Sequence, residues 1–303
     1  MKRVLITGAF GQDGVILSKL YQKKNYKVFG FVKKKPKKGL KKVTYKINNL
    51  KSKNKIKNHL QVIKPNIVVH LASTNNNFLK RNNKKNYNMN YLQNLKNTKN
   101  LLNSIVENEL KTKFIFAGSS LMFKNNQKKK VTEKDRLKSS EHYGQYKIDS
   151  HKFILSLKKK NKINASTVIL FNHDSAYRNK KFLLPKIVES FKNKNFNFIE
   201  KIYKLNISGD FSHAEDICNG IYKLSISKIN IDKIILSSNK RFYINKIILY
   251  LEKHYNLKIK RKTLKNNINF KLIGSNKLAK KILNYKVRKN PIDACKDIVK
   301  NYL

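Results

Sequence analysis

Ile6-Thr7-Gly8-Ala9-Phe10-Gly11-Gln12-Asp13-Gly14 is the stretch that decides the fold. An apolar run over residues 3–7 leads into it and reads as a buried strand. A helical pattern over about residues 13–22 leads out of it. Glycines at such a junction let the chain turn tightly and bring backbone N–H groups close to a pyrophosphate, which the N-terminus of the following helix attracts. The spacing is G-x-x-G-x-x-G, and the position between the first strand and the first helix is what gives it meaning. The bland alternative is an ordinary tight turn in which Asp13 caps the helix.

Outward from the turn, strands are expected at residues 26–31, 43–47, 67–71, 113–117 and 165–171. Helices are expected at 55–63, 90–106 and 143–157. Repeated strand–helix units predict an α/β fold with a doubly wound parallel sheet covered on both faces. Residues 124–138 read as a polar loop, and 75–90 as a Lys/Asn-rich stretch of low complexity. Beyond Asn172 the rhythm loosens. The pieces at 182–191, 214–224, 234–237, 244–254, 276–283 and 292–302 predict a smaller mixed α/β part. The expected division is 1–171 and 172–303, interleaved, because no Pro/Gly/Ser linker separates them.

The chain has 303 residues, of which 40% are hydrophobic, enough to build a core and to exclude global disorder. Lys and Arg number 69 against 17 Asp and Glu, a formal charge of +52. Asp13 is the only acid before Glu107. Clustered cations can bind nucleic-acid phosphates. Here, however, the lysines run through every segment among Asn, Ile, Phe and Tyr, a mixture that matches drift in an AT-rich genome. A solvated Lys-rich surface is therefore the expectation, and it would still draw in an anionic small molecule. Cys218 and Cys295 cannot form a disulfide framework and have no metal-ligand spacing, so no metal is expected. The first residues lack a long apolar signal region, and no apolar run reaches the roughly 20 residues of a bilayer span. The expected location is the cytoplasm.

At the end of the second strand stand Lys33 and Lys34. A carboxylate there would bind the ribose hydroxyls of NAD, whereas cations suit the 2′-phosphate of NADP. NADP is the expected cofactor ahead of NAD.

Tyr143 and Lys147 lie four apart in a helical stretch and so share a face. An ammonium near a phenol favours the phenolate, which prepares Tyr143 to exchange a proton with a sugar hydroxyl. Tyr177–Lys181 and Tyr285–Lys289 have the same spacing, so spacing alone selects nothing. Context does, because only Tyr143 opens the helix that follows the fifth strand, whose end carries Ser119 and Ser120. Ser119 could donate to the same substrate oxygen. Its bland alternative is a turn or cap.

With these motifs in place, the sequence resembles the extended short-chain dehydrogenase/reductase (NAD-dependent epimerase/dehydratase) family, and more narrowly its GDP-mannose 4,6-dehydratase branch. The opening with Gln12-Asp13 matches that branch. His70-Leu71-Ala72-Ser73 stands where the family has Asn-Leu-Ala/Gly-Ala. Asn94 to Thr98 stands for Asn-Val-x-Gly-Thr, and Leu170-Phe171-Asn172-His173-Asp174-Ser175 for Leu-Phe-Asn-His-Glu-Ser. Asp210 to Asp216 and Ser275 to Tyr285 also follow the family pattern.

The resemblance implies a Rossmann domain for NADP and a C-terminal part for a nucleotide sugar rather than for nucleic acid, in a homodimer or homotetramer. It sets Gly8, Gly11, Gln12, Asp13 and Gly14 at the pyrophosphate, and Asn49 and Leu50 near adenine. Leu71, Ala72, Ser73 and Thr74 would line the cofactor, with Lys147, His173 and Arg178 also touching it. Ser120, Asn172 and Lys186 are the expected substrate contacts, and Ser119, Tyr143 and Lys147 the catalytic set.

Departures from the pattern bear on the reaction. Leu121 stands where the dehydratases carry Glu, and dehydration needs a base for the C5 proton. Phe123 and Lys124 replace Tyr and Gly, Gly209 replaces Arg, Asn49 replaces Asp, and Asn97 replaces a glycine beside the cofactor. Three readings follow: a divergent dehydratase with its base elsewhere, a nucleotide-sugar 4-ketoreductase or epimerase, or a drifted paralogue that binds NADP. A Rossmann-fold nucleic-acid-binding protein is the alternative from another class.

Overall fold

The computed structural model describes residues 1–34, 36, 39–74, 84–124, 130–259 and 272–302. Alternate residues of the first strand, β1 (Arg3–Thr7), enter two different cores. Val4 and Ile6 face one side and Leu5 the other, all fully buried. A strand covered on both faces must be apolar throughout, which is why β1 reads as a continuous run.

Also largely buried are β2 (Lys27–Val32), β4 (Ile67–His70), β5 (Lys113–Ala117), β7 (Asn164–Leu170) and β11 (Lys233–Leu236), although buried Ser166 and Thr167 interrupt the apolar run of β7 and buried His70 ends that of β4. With β3 (Val43–Ile47) they form a seven-stranded sheet in the order β11-β7-β5-β4-β1-β2-β3. Every pairing in it is parallel. On one face lie α1 (Gln12–Lys23), α7 (Ala214–Ile226) and α9 (Lys277–Leu283). On the other lie α2 (Lys53–Ile63), α3 (Lys84–Glu107) and α4 (His142–Lys159). The chain winds outward in one direction through β1, β2 and β3, then in the other from β4. The order therefore reverses between β1 and β4, where a crevice opens at the strands' carboxyl ends.

The sheet is completed by β11, from beyond residue 171, while α7 packs on α1. A satellite core joins α5 (Leu183–Lys192), α6 (Phe196–Lys204), α8 (Asn245–His254) and α10 (Pro291–Tyr302) through Ile187, Phe191, Ile202, Ile247, Leu251 and Ile298. Each such burial contributes about 1.5–3 kcal/mol. Three two-stranded pairs complete the arrangement, and the last of them ties this part to the first half of the chain. They join β8 (Asn172–Asp174) to β10 (Phe211–His213), β9 (Ser208–Gly209) to β12 (Phe242–Tyr243), and β6 (Lys130–Val131) to β13 (Ile273–Gly274).

Several expectations are corrected. Within the expected loop 124–138, Lys130 and Val131 pair with Ile273 and Gly274; residues 125–129 lie outside the described residues. Of the low-complexity stretch 75–90, residues 75–83 lie outside them too, and α3 already begins at Lys84. Residues 196–204, unassigned from sequence, form α6, whose cap is Asn195 Oδ1 accepting from Phe198 N at 3.3 Å. No described helix is long and apolar enough to cross a membrane.

Candidate active site

The crevice between β1 and β4 is a cleft of about 290 Å³. It brings together Gly8, Gly11, Lys33, Lys34, Asn49, Leu50, Ala72, Ser73 and Thr74 from the expected cofactor set. Sequence reasoning placed Asn97 beside the cofactor but did not name Thr7, Phe10, Phe31, Val32, Asn48 or Asn94 as lining residues. Asn48 and Asn94 could have been found only by knowing which strand ends converge.

The turn is built for close approach. Gly8 has φ +72°, in the left-handed region, and a Cβ there would lie 3.1 Å from Ala72 N. Gly8 N donates to Phe31 O at 3.1 Å, and Gly11 N to Gly8 O at 2.9 Å. Gly11 is the N-cap of α1 and carries no capping side chain, so the helix end stays open toward an anion. Lys33 reaches Thr74 Oγ1 at 3.4 Å. Leu50 adopts φ 63°, held by Asn48 Oδ1 accepting from Leu50 N at 2.9 Å. A glycine-walled crevice, an uncapped helix N-terminus and two lysines at its mouth fit the diphosphate and ribose of a nicotinamide dinucleotide.

Gln12 and Asp13 do something the sequence did not disclose. Their side chains reach across to the segment after β7. Gln12 Nε2 donates to His173 O at 3.2 Å, and Ser175 Oγ to Gln12 Oε1 at 3.1 Å. His173 Nε2 lies 3.0 Å from the Asp13 carboxylate, and its Nδ1 lies 2.6 Å from Phe171 O. Both ring nitrogens face acceptors, so the imidazolium is the satisfied form.

Burial alone would raise the Asp13 carboxyl. The charge and hydrogen bond of His173 outweigh it, with Arg178 behind, and hold it at about 2. Burial lowers His173, but Asp13 more than compensates and raises it above 6.5. Asp13 therefore stabilises above its unfolded value of 3.8 and loses that contribution as pH falls toward 2. His173 contributes fully below 6.5 and loses it as pH rises through its folded value. His173→Gln is expected to lower Tm most between pH 3.8 and 6.5, and less once the pH has risen through the folded value of His173. Thermal unfolding across pH measures it, and an equal loss at every pH contradicts the ion pair.

Tyr143 and Lys147 do share a face of α4, but not in the expected way. Lys147 is buried; its Nζ donates to Ala117 O at 2.6 Å and lies 5.3 Å from the Tyr143 ring centroid. Burial brings its ammonium down to about 7. The Tyr143 phenol is raised by burial rather than lowered by Lys147. The opposing pulls come from the Ser73 hydroxyl and then Arg178. Ser73 Oγ stands 3.2 Å from Tyr143 Oη.

Gly144 lets α4 approach the end of β5 so closely. A Cβ there would meet Leu121 O and Ser139 Oγ, both at 2.1 Å. Ser119 Oγ accepts from Leu121 N at 3.2 Å, so it caps a short 3-10 turn at Ser120–Met122 and keeps its hydrogen to donate.

The remaining expected contacts lie outside this cleft. Asn172 Nδ2 donates to Asp210 O at 3.4 Å. Arg178 pairs with Asp174 at 3.2 Å and stacks on Phe182. Lys186 sits 5.0 Å from the Phe198 ring centroid. His213, Glu215 and Asp297 gather on the far side of β10, with Lys289 2.7 Å from Glu215 and the His213 ring nitrogens facing Glu215 N and Asp297.

A family model described as GDP-mannose 4,6 dehydratase matches residues 5–290. No curated protein matches the chain. Among solved structures, it is similar to UDP-glucose 4-epimerase from Thermotoga maritima, determined with UDP-glucose. The identity is 14% and the TM-score 0.84, over 99% of this chain and 98% of the other. UDP-glucuronic acid 4-epimerase from Bacillus cereus, in complex with NAD, gives 17%, 0.80, 99% and 96%. dTDP-glucose 4,6-dehydratase from Streptomyces venezuelae, with NAD bound, gives 12%, 0.82, 99% and 96%. These identities speak for a shared fold.

Proposed function

The chain belongs to the GDP-mannose 4,6-dehydratase family of NAD-dependent epimerases and dehydratases, and from that premise we propose that it acts at C4 of a GDP-linked hexose with NADP. The observation that carries the reading is that Ser73 both lines the dinucleotide cleft and bonds the Tyr143 phenol. Proton exchange and hydride exchange would then meet at one rim. The dinucleotide would be held by the Gly8–Gly11 turn, by Lys33 and Lys34 at its ribose, and by Asn49 and Leu50 at its base. When bound it supplies a hydride acceptor and donor.

The chain's own residues do the rest. The Tyr143 phenolate takes the proton of the sugar O4 hydroxyl on oxidation and returns it on reduction. The Ser119 hydroxyl donates to the same oxygen and positions it. Lys147 fixes α4, and with it Tyr143, against β5 through Ala117 O. NADP is favoured over NAD because Lys33 and Lys34 line the cleft where a carboxylate would serve NAD.

A second reading is a 4-ketoreductase or epimerase, and Leu121 favours it. At the end of β5 this residue is aliphatic where the family pattern has Glu, and its carbonyl packs against α4 at Gly144. It cannot remove a C5 proton.

The experiment is to incubate the protein with GDP-mannose and NADP, and in parallel with NAD, and to follow the sugar by mass spectrometry. Loss of one water, faster with NADP, is the result expected of a dehydratase. No loss of water, together with reduction of a 4-keto-6-deoxy sugar nucleotide by NADPH, is the result expected of the second reading. Conversion of neither would overturn both, and a preference for NAD would overturn the cofactor assignment.

A further inference from the structure

We propose that Ser73 is a positioning residue for the proton transfer, its hydroxyl holding the Tyr143 phenol at the cleft rim and donating to the phenolate oxygen when the proton leaves. The proposal rests on the reading of Tyr143 as the acid–base group.

The backbone on both sides of Ser73 is fixed. Ala72 N donates to Thr7 Oγ1 at 3.1 Å. Thr74 N donates to Asn94 Oδ1 at 2.9 Å, and Asn94 Nδ2 returns a bond to Thr74 O at 2.8 Å. The atoms behind this ledge leave one consistent direction of donation. Thr98 Oγ1 donates to Asn94 O at 2.9 Å, so it accepts from His70 Nε2, 3.0 Å away. His70 Nδ1 is then the acceptor for the Thr7 hydroxyl at 2.7 Å, which leaves a Thr7 lone pair for Ala72 N. His70, Thr7, Thr98 and Asn94 are all buried. A side chain carried on so rigid a ledge loses little entropy in meeting its partner.

Lys147 Nζ is engaged with Ala117 O. The groups facing Tyr143 are Tyr146 and Lys147 on its own helix, Asp13 at the head of α1, and Arg178 beyond β8. Arg178 favours the phenolate and Asp13 opposes it, while Ser73 touches the oxygen itself.

The test uses full-length protein labelled with 13C-tyrosine and titrated by NMR with no nucleotide added. The Tyr143 signal is identified by its loss in Tyr143→Phe. In Ser73→Ala, Tyr143 is expected to become an about tenfold weaker acid, because a hydrogen bond to a charged oxygen is lost. Ser73→Thr restores the titration. In turnover, kcat falls about tenfold at unchanged KM, and the pH profile moves the same way. Ser73 is exposed at the rim, so both variants should melt like the parent. An unchanged Tyr143 titration in Ser73→Ala overturns the proposal, whatever the turnover. A shifted titration in a protein that converts no nucleotide sugar overturns instead the acid–base reading on which it rests.

Discussion

Tyr143→Phe is expected to lower turnover of the nucleotide sugar by about 10²–10⁴-fold, the range set by removing a positioned general acid–base. The variant deletes one oxygen and little else. The ring stands edge-on to Tyr146 at 5.8 Å between centroids, an arrangement phenylalanine keeps. Lys147 holds Ala117 O without help from the phenol. The nucleotide cleft is lined by other residues, so NADPH binding, followed by fluorescence, should stay within a few-fold of the parent. The loss therefore falls on kcat, and KM changes little. Turnover within about threefold of the parent would remove Tyr143 from the chemistry, because no lesser role of an acid–base survives so small a change.

Gly14→Ala should have the largest effect on the fold. A Cβ at Gly14 would lie 2.4 Å from Gly8 O and 2.6 Å from Ala9 Cα. Both are backbone atoms of a turn tied to β2 through Phe31 O, so neither can swing aside. The helix must lift from the sheet, which costs about 3 kcal/mol as overpacking and lowers Tm by several degrees. It also moves the open end of α1 away from the cleft, so nucleotide affinity falls with stability. Gly220→Ala is the comparison. There the Cβ meets side-chain atoms only, the Leu236 methyls at 2.8–2.9 Å and the Tyr285 ring at 3.0 Å, which can give way more readily than backbone, and about 1 kcal/mol is expected. Thermal unfolding of both variants tests the argument, and equal losses would mean that the tightness of the turn carries no special cost.

The two variants also mark what each level of description could reach. Residues 3–7 show their strand because burial on both faces demands an unbroken apolar run, and the glycines after them show the turn because few other residues could make it. The alternation of such runs with helical spacing was enough for the parallel sheet and its cleft. The pairs at β6 with β13, β8 with β10, and β9 with β12 were not legible. Each is two or three residues long, too short for a period, and its partner lies far along the chain. The Tyr143–Lys147 spacing was visible, yet its electrostatics came out otherwise. Sequence fixes which residues share a helix face, whereas the pull on a phenol depends on what crosses the space in front of it.

By itself, then, the sequence determined the α/β sheet, the glycine turn and the shared helix face of Tyr143 and Lys147, because those follow from periodicity and local backbone constraint. Only the tertiary structure decided that Asp13 is clamped to His173, that Lys147 is spent on Ala117, and that Ser73 is the group on the phenol oxygen. Those are contacts between α1, β5, α4 and the segments after β4 and β7, and their distances are set by packing, which no spacing along the chain encodes.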